Sequence, residues 1–296
     1  MKLPTLVFTT LAALASLSTA FPHDISSLSA RHHRLARRAL SAHAEVGDVN
    51  KRCHKRNDST RGHHALRAST GLIHVKSSSH CGESGATEHI TATSGPNGNI
   101  GWLTCGVNKN GWTPPYVRVQ DLVVRELWGA IAEQNSVFKP CAPYVSLFEK
   151  YGDMYGIHPI LLASFGMQES TCNRHAVGGG GEQGIMQISK DKCHGAPGDN
   201  CQDPDFNIHT AAKFFSQLLN NFGGNVLLAI GSYNGWFKGM TVHDATAAAS
   251  SPCCLCQQNL DYLHQFVNGW LQSVDAHDHT PPLGLYFNLN RCVKAG

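Results

Sequence analysis

The sequence lacks an apolar run long enough to cross a bilayer. Its longest such run, from Leu3 to Leu17, is interrupted by hydroxyl residues and is shorter than the roughly 20 residues that a membrane-spanning helix needs. The run follows Lys2 and precedes Ser18-Thr19-Ala20, the flanks that are typical of a secretory signal. We therefore predict a signal peptide over residues 1–20, a secreted, extracellular protein, and no membrane association once the signal is removed.

The chain also lacks a surplus of positive charge beyond its N-terminal part. The whole sequence has 24 basic and 21 acidic residues, a net charge of +3. Nine of the basic residues but only three of the acidic ones lie at or before Arg56, so the remainder has 15 basic and 18 acidic residues and a net charge of −3. Because nucleic-acid-binding proteins carry a basic surface, we expect no nucleic acid partner.

Two further patterns are absent, an internal repeat and the His-Glu-x-x-His motif of helical zinc sites. The chain has 18 histidines, but ten of them precede residue 90. The cluster Cys253-Cys254-Leu255-Cys256 is compatible with a metal site, yet disulfides are the better explanation in an oxidising secretory compartment. We predict neither a metal ion nor a cofactor.

Residues 21–56 are rich in Ser, Ala, His and Arg and end in two dibasic pairs, Lys51-Arg52 and Lys55-Arg56. We interpret them as a propeptide rather than as a merely basic disordered arm. The dibasic pairs resemble the sites of kexin-type processing proteases, which implies a eukaryotic source such as a fungus. Cleavage after Arg56 would remove Cys53 and leave ten of the eleven cysteines, enough for five disulfides.

The composition changes along the remaining chain, and we divide it after Pro115. Residues 57–115 contain a stretch rich in Gly, Ser, Thr and Asn, with short β-favouring pieces at Leu72–Val75 and His89–Thr93. We predict that this segment is small, partly β and held by Cys81 and Cys105.

Residues 116–296 show the three- and four-residue apolar spacing of helices, beginning with Val119 to Ile131. Further helices are predicted over Tyr144–Tyr155, His158–Ser170, Phe206–Phe222, Val226–Tyr233 and Asn259–Val274. We therefore predict a mainly α fold of the α+β kind, in which a helical domain follows the small N-terminal segment.

Glu169 is placed on the apolar face of one predicted helix, because it follows Phe165 by four positions and Leu161 by eight. Burial disfavours the charged form of a carboxyl and raises its pKa, and the nearby helix C-terminus acts in the same direction. Such a group can hold a proton at neutral pH and donate it. The alternative is an ordinary pairing with a neighbouring base such as Arg174.

Four motifs surround and follow this helix in a fixed order. They are Glu169-Ser170, then Ala176-Val177 with a glycine run leading to Gly184-Ile185-Met186-Gln187, then Asp203-Pro204-Asp205-Phe206-Asn207-Ile208, and finally Ser232-Tyr233-Asn234-Gly235. They resemble the Glu-Ser, Gly-Leu-Met-Gln, Asp-Pro-x-x-Asn-Ile and Ala-Tyr-Asn motifs of soluble lytic transglycosylases, which are related to goose-type lysozymes. The resemblance implies a lysozyme-like catalytic domain over residues 116–296.

The resemblance also implies an activity, cleavage of the β-1,4 bond between N-acetylmuramic acid and N-acetylglucosamine in bacterial peptidoglycan. Glu169 would be the catalytic acid and then the base, with Tyr233 hydrogen-bonded near its carboxyl. The product depends on whether the sugar's own 6-hydroxyl or a water attacks. We expect a monomer whose partner is the glycan strand. The residues expected to bind substrate are Ser170, Met186, Gln187 and Asn234.

Two positions depart from the family pattern. Gly178 stands where the family usually has a serine thought to assist the reaction, and Glu182 stands where it usually has a small residue. Glu182 is a possible second carboxylate that orients a water and favours hydrolysis. A solvated loop glutamate is the simpler interpretation, and we favour it.

Two other functions stay open. One is a chitin-type glycan hydrolase on the same fold, since chitin also contains N-acetylglucosamine. The other is a non-catalytic glycan-binding protein, although Glu169, Gln187 and Tyr233 argue against it because binding needs no proton donor. Residues 57–115 are equally open between a wall-binding appendage, a brace for the catalytic domain and a spacer.

Overall fold

The computed structural model describes residues 71–75, 80–178 and 181–293. The predicted signal peptide, the predicted propeptide with Cys53, and residues 57–70 lie outside the described residues. Within the described ranges, no helix has both the length and the apolar character that a membrane crossing requires.

The described part is helical and contains no β-strand, so the prediction of a mainly α fold is confirmed. Numbered in chain order, its α-helices are α1 Ile100–Leu103, α2 Leu127–Ala132, α3 Val145–Tyr155, α4 Pro159–Ser170, α5 Pro204–Asn221, α6 Val226–Tyr233, α7 Val242–Thr246, α8 Tyr262–His264 and α9 Asn290–Val293. Helix α8 continues directly into the π turn Gln265–Gly269 and the 3₁₀ turn Trp270–Gln272. Further 3₁₀ turns are Val119–Asp121, Lys139–Tyr144, Lys190–Lys192, Pro197–Asp199 and Cys254–Cys256.

The five helices predicted after residue 140 are all present, although the last is a composite of three helix types. Helix α5 begins two residues earlier than predicted, at Pro204. The Asp203 side chain accepts the backbone N–H of Phe206 at 2.9 Å, and proline suits the first helical position because it has no N–H to satisfy.

The helix predicted from Val119 to Ile131 is wrong in its first half. Only Val119–Asp121 forms a 3₁₀ turn, and α2 begins six residues later. The intervening Val123 exchanges both backbone hydrogen bonds with the Asn97 side chain, each at 2.8 Å. Its polar groups are therefore satisfied by another segment, while the apolar side chains that suggested a helix are buried by tertiary packing.

The prediction of β structure within residues 57–115 is wrong for the part that the structure describes. Neither Leu72–Val75 nor His89–Thr93 forms a strand. The N–H of Ile73 donates instead to the carbonyl of Pro96 at 2.9 Å, and the second piece closes a tight turn on itself. Hydrogen bonds within turns thus satisfy backbone N–H and C=O groups that would be bonded to a neighbouring strand in a β-sheet.

The described residues of this N-terminal segment pack into the same apolar core as the helices. The Trp112 indole is fully buried and lies edge-on to Trp236, with ring centroids 4.9 Å apart. Helix α6 accommodates it through Gly231, where a Cβ would approach the Trp112 ring to 2.3 Å. This packing favours the interpretation of the segment as a brace.

A buried polar network joins the same segment to the end of the chain. The Asn97 side chain donates to the carbonyls of Val123 and Val267 at 2.8 and 2.7 Å, and its backbone N–H donates to Asn268 Oδ1 at 2.8 Å. Asn268 in turn donates to the carbonyl of Gly98 at 2.9 Å. Because Asn97 and Asn268 are completely buried and bonded, they fix how three distant segments meet.

A buried carboxylate helps to hold the C-terminal part in place. Asp261 is 2% exposed and accepts the backbone N–H groups of Leu285, Tyr286 and Phe287 at 2.7 to 2.9 Å. This bonding stabilises an otherwise irregular segment against α8.

All ten cysteines after Arg56 form disulfides, as predicted. The pairs are Cys81–Cys105, Cys141–Cys172, Cys193–Cys201, Cys253–Cys256 and Cys254–Cys292. The cysteines of the 253–256 cluster are therefore bonded as disulfides rather than free to act as thiolate ligands.

We expect Asn97→Ala to lower the free energy of unfolding by about 2 to 4 kcal/mol, because it leaves the buried N–H of Val123 without its acceptor and removes a donor from the carbonyls of Val123 and Val267. Urea denaturation monitored by circular dichroism measures this loss. Asn108→Ala is the matched control, since Asn108 is exposed. Equal stability of the two variants would contradict the role of the network.

Candidate active site

Helix α4 is the central element of the site because it is apolar on all sides. Ten of its twelve residues are buried, from Ile160 to Glu169. A helix of this kind belongs in the interior of a domain. It ends at Thr171 in a left-handed conformation (φ 54°), and the next residue, Cys172, is bonded to Cys141. The last turn of α4 is thus fixed in place.

Glu169 lies in that last turn and is only 4% exposed. Its Oε1 atom has no hydrogen-bond partner among the residues that the structure describes. Burial, and to a lesser extent the negative charge of Glu182, raises the pKa of Glu169 to about 8. The predicted rise in pKa is confirmed, so the carboxyl holds a proton at neutral pH.

The alternative pairing of Glu169 with Arg174 is wrong. Within the described part of the chain, no ion pair involves Glu169. Arg174 Nε is itself buried without a hydrogen-bond partner there. A neighbouring cation would lower the pKa of the carboxyl, whereas it is raised.

Helix α5 fixes the turn that contains Gly184 to Gln187. Asn207, completely buried near the start of α5, accepts the backbone N–H of Met186 at 2.8 Å. Its Nδ2 donates to the carbonyls of Gln183 and Cys201 at 2.8 and 2.9 Å. Asn207 therefore orients the turn Gly184 to Gln187, because both its Nδ2 and its Oδ1 are hydrogen-bonded to the main chain.

The close approach of Asn207 explains the glycine that opens this turn. Gly184 has φ +76°, and a Cβ there would lie 2.5 Å from Asn207 Nδ2. The Ser170 hydroxyl donates to the carbonyl of Ile185 at 2.8 Å and so ties the end of α4 to the same turn. This contact gives Ser170 a positioning role, and its expected contact with substrate stays a prediction.

Tyr233 reaches the site from the end of α6. Its ring stacks near Phe165, with centroids 4.0 Å apart, and its hydroxyl donates to the carbonyl of Met186 at 3.2 Å. Burial, and then the charge of Glu169, raises the pKa of Tyr233 well above its usual range. The hydroxyl therefore stays protonated and is affected by the charge of Glu169, while its hydrogen bond goes to the carbonyl of Met186. The catalytic role of Tyr233 stays a prediction.

The three other predicted substrate-binding residues are also buried. Gln187 donates through Nε2 to the carbonyls of Ala176 and Gly184, which leaves Oε1 without a partner among the described residues. In the same part of the chain, neither side-chain atom of Asn234 has a partner, while Met186 is fully enclosed. Buried polar atoms without partners are rare, so these amides are suited to a polar ligand.

Tyr262, in the first turn of α8, is a site residue that no sequence motif predicted. It is 1% exposed, and its pKa is raised well above the usual range by burial and then by the charge of Glu169. Tyr262 is thus a further residue near the carboxyl. Its position in an apolar helical stretch is typical of ordinary core tyrosines, so no local pattern marks it as a site residue.

The favoured interpretation of Glu182 as a solvated loop glutamate is wrong. Its exposure is only 3%, and its charge acts on the Glu169 carboxyl. Its backbone carbonyl accepts the N–H of Gly178 at 2.8 Å, which ties the main chain of the loop together at this residue. The structure therefore brings two glutamates to one buried site.

Comparison with known proteins agrees with the motifs. Residues 146–244 match the family described as Transglycosylase SLT domain. The chain is 33% identical over 97 residues to the membrane-bound lytic murein transglycosylase F 1 of Alkalilimnicola ehrlichii. The aligned stretch covers 31% of this chain and 20% of that protein. It is 26% identical to an inactive mutant of the lytic transglycosylase Slt from Pseudomonas aeruginosa, over 30% of this chain and 16% of that one, with a TM-score of 0.28. The match thus spans only about a fifth of the length of the curated relative.

We expect Glu169→Gln to stabilise the protein at neutral pH. The folded-state pKa of about 8 exceeds the ordinary value of 4.5, so the contribution of Glu169 is fully present below pH 4.5 and is lost as the pH rises through 8. The variant, which has no proton to lose, should be more stable by about 1 to 3 kcal/mol at pH 7.

Thermal denaturation of both proteins at neutral and acidic pH measures this difference. It should shrink as the pH falls and disappear below pH 4.5, where the glutamate is protonated in the unfolded as well as in the folded state. Glu88→Gln, which changes an exposed carboxylate, is the control. A stability difference that does not depend on pH would contradict the assigned pKa.

Proposed function

We propose that this chain is a secreted enzyme that cleaves the β-1,4 bond between N-acetylmuramic acid and N-acetylglucosamine in bacterial peptidoglycan. The observation that carries the proposal is the buried, protonated Glu169 carboxyl, within a stretch that matches the Transglycosylase SLT domain. Secretion is supported by the signal-like N-terminus and by five disulfides, which persist in oxidising compartments.

Glu169 acts first as the acid. Its proton passes to the glycosidic oxygen as the bond from that oxygen to C1 of N-acetylmuramic acid breaks, and positive charge develops on the ring. The carboxylate left behind then lies in an apolar pocket, where it is a strong base. A pKa of about 8 suits both tasks, because the group is protonated at the start and readily regains a proton at the end.

The second half of the reaction has two possible acceptors. Attack by the sugar's own 6-hydroxyl gives a 1,6-anhydro end, and attack by water gives a reducing end. Either route returns one proton from the attacking hydroxyl or water to the enzyme, so Glu169 is ready for the next cycle.

The surrounding side chains bind and orient the substrate. Gln187 Oε1 and the Asn234 amide offer an acceptor and a donor to the N-acetyl groups of the sugars, since neither has a partner among the described residues. Tyr233 keeps its hydroxyl proton beside Glu169 and holds Met186 through the main chain. Ser170 holds the adjoining turn.

We expect Glu169→Gln to lose activity on purified peptidoglycan by about a hundred- to ten-thousand-fold, because the amide cannot donate or recover the proton. Mass spectrometry of the released muropeptides measures the loss, with Glu88→Gln as the control for an exposed carboxylate. Wild-type activity in Glu169→Gln would overturn the assignment of the acid.

The same digestion experiment distinguishes the proposed function from the two alternatives, a chitin-type glycan hydrolase and a non-catalytic glycan-binding protein. If the wild type releases nothing from peptidoglycan but cleaves chitin, the substrate is the chitin-type glycan. If neither polymer is cleaved but one is retained in a pull-down, the protein is a non-catalytic binder.

We further expect kcat/KM to fall as the pH rises above about 8, because the free enzyme must hold the Glu169 proton to act as an acid. The pH dependence of kcat/KM on soluble glycan fragments measures this decrease at alkaline pH. A loss of activity centred near pH 4.5, the ordinary value for glutamate, would contradict the proposed role.

A further inference from the structure

Gln168 immediately precedes Glu169 in the last turn of α4 and is 7% exposed. Successive residues of an α-helix point about 100° apart, so its side chain leaves the helix in another direction. The Glu169 carboxyl is not fixed through Oε1, which has no hydrogen-bond partner among the described residues. The position of that carboxyl therefore depends on how firmly the last turn of α4 is held.

A buried tryptophan from a distant part of the chain bonds to this turn. The indole N–H of Trp270 donates to Gln168 Oε1 at 2.8 Å, across a separation of 102 residues, and Trp270 is 2% exposed. Because both side chains are buried, removing either one would leave a polar atom of the other without its partner. Phe266 packs on the same helix, with its ring centroid 4.6 Å from that of Phe165.

Trp270 follows directly after the π turn Gln265–Gly269. Its backbone N–H donates to the carbonyls of Gln265 and Phe266 at the end of that turn. A π turn spans one residue more than an α-helical turn, and such turns are frequent at functional sites. The π turn thus sets the direction in which the Trp270 side chain extends towards α4.

The groups that hold this π turn lie before the stretch that matches the family. Asn97 donates to the carbonyl of Val267 and to the side chain of Asn268, both within the turn. Just after the turn, the carbonyl of Leu271 accepts the N–H of Arg125 at 3.0 Å. A continuous set of hydrogen bonds therefore runs from the N-terminal segment to the last turn of α4.

We propose that Trp270 is a positioning residue for the reaction, which holds Glu169 in place through its hydrogen bond to Gln168. The inference rests on the proposed function, because it concerns the residue assigned there as the acid. It also gives the N-terminal segment a part in catalysis, since Asn97 fixes the turn from which Trp270 extends. A displacement of about 1 Å in a catalytic group can cost about a hundredfold in rate, so such indirect support affects turnover.

Trp270→Phe in the full chain is the direct test, because it keeps an aromatic ring in the core and removes the N–H that Gln168 accepts. We expect kcat on soluble glycan fragments to fall by about ten- to a hundredfold, with KM within about twofold of the wild-type value. The acid is misplaced in this variant, whereas the proposed substrate contacts of Gln187 and Asn234 stay in position. A rise in KM with kcat unchanged would contradict the inference.

Trp112→Phe is the matched control for the loss of a buried indole N–H. That N–H donates to the carbonyl of Leu103 at 3.0 Å, and Leu103 belongs to α1 rather than to α4. We expect both variants to lose thermal stability, but kcat of Trp112→Phe to stay within about twofold of the wild-type value. Equal losses of kcat in the two variants would overturn the inference, because general weakening of the core would then explain both.

Gln168→Met removes the acceptor of the same hydrogen bond and keeps the length of the side chain. We expect it to lower kcat by about the same factor as Trp270→Phe, and the double variant to be no slower than the slower single variant. Losses that multiply in the double variant would mean that the two side chains act independently, which would overturn the inference.

Near-UV circular dichroism establishes that each variant is folded before the rates are compared. If Trp270→Phe does not fold, Gln168→Met tests the same hydrogen bond by itself. Wild-type kcat in whichever of these variants folds would overturn the inference and leave the proposed function intact. Failure of the wild-type protein to release anything from peptidoglycan would overturn the proposed function, and this inference with it.

Discussion

A carboxylic acid is held inside an apolar core at the end of α4, and much of the surrounding structure serves to keep it there. Desolvation disfavours the ionised form of Glu169, which is why its pKa rises to about 8. Such a group costs free energy at neutral pH and persists only where its neighbours are rigid. The fully buried α4 and the Cys141–Cys172 disulfide supply that rigidity.

The sequence motifs act as one bonded unit rather than as separate contacts. Asn207 of α5 holds the turn of Met186, the carbonyl of Met186 accepts the Tyr233 hydroxyl, and Ser170 ties the same turn to α4. Each bond joins segments that are distant in the chain. A change in one motif therefore displaces the others, which is the arrangement that a preorganised site requires.

The supporting structure extends well beyond residues 146–244, which match the family. The N-terminal segment contributes Trp112 to the core and Asn97 to a buried network with the π turn Gln265–Gly269, and Asp261 binds the C-terminal residues. These polar groups are satisfied and buried, so they specify one arrangement of the segments. The described residues before α2 are thus built into the domain that holds the site.

Local patterns in the sequence determined the helices after residue 140 and the burial of Glu169, because apolar periodicity and capping residues act over short distances. The even number of cysteines after Arg56 determined that all ten could pair. Only the tertiary structure decided the rest. It kept Val123 out of a helix through its hydrogen bonds with Asn97, and it removed the strands predicted before Pro115. It also buried Glu182 and Tyr262, both of which act electrostatically on or with Glu169. These outcomes depend on partners far away in the chain, and hydrogen bonds or burial supplied by such partners outweigh local preference.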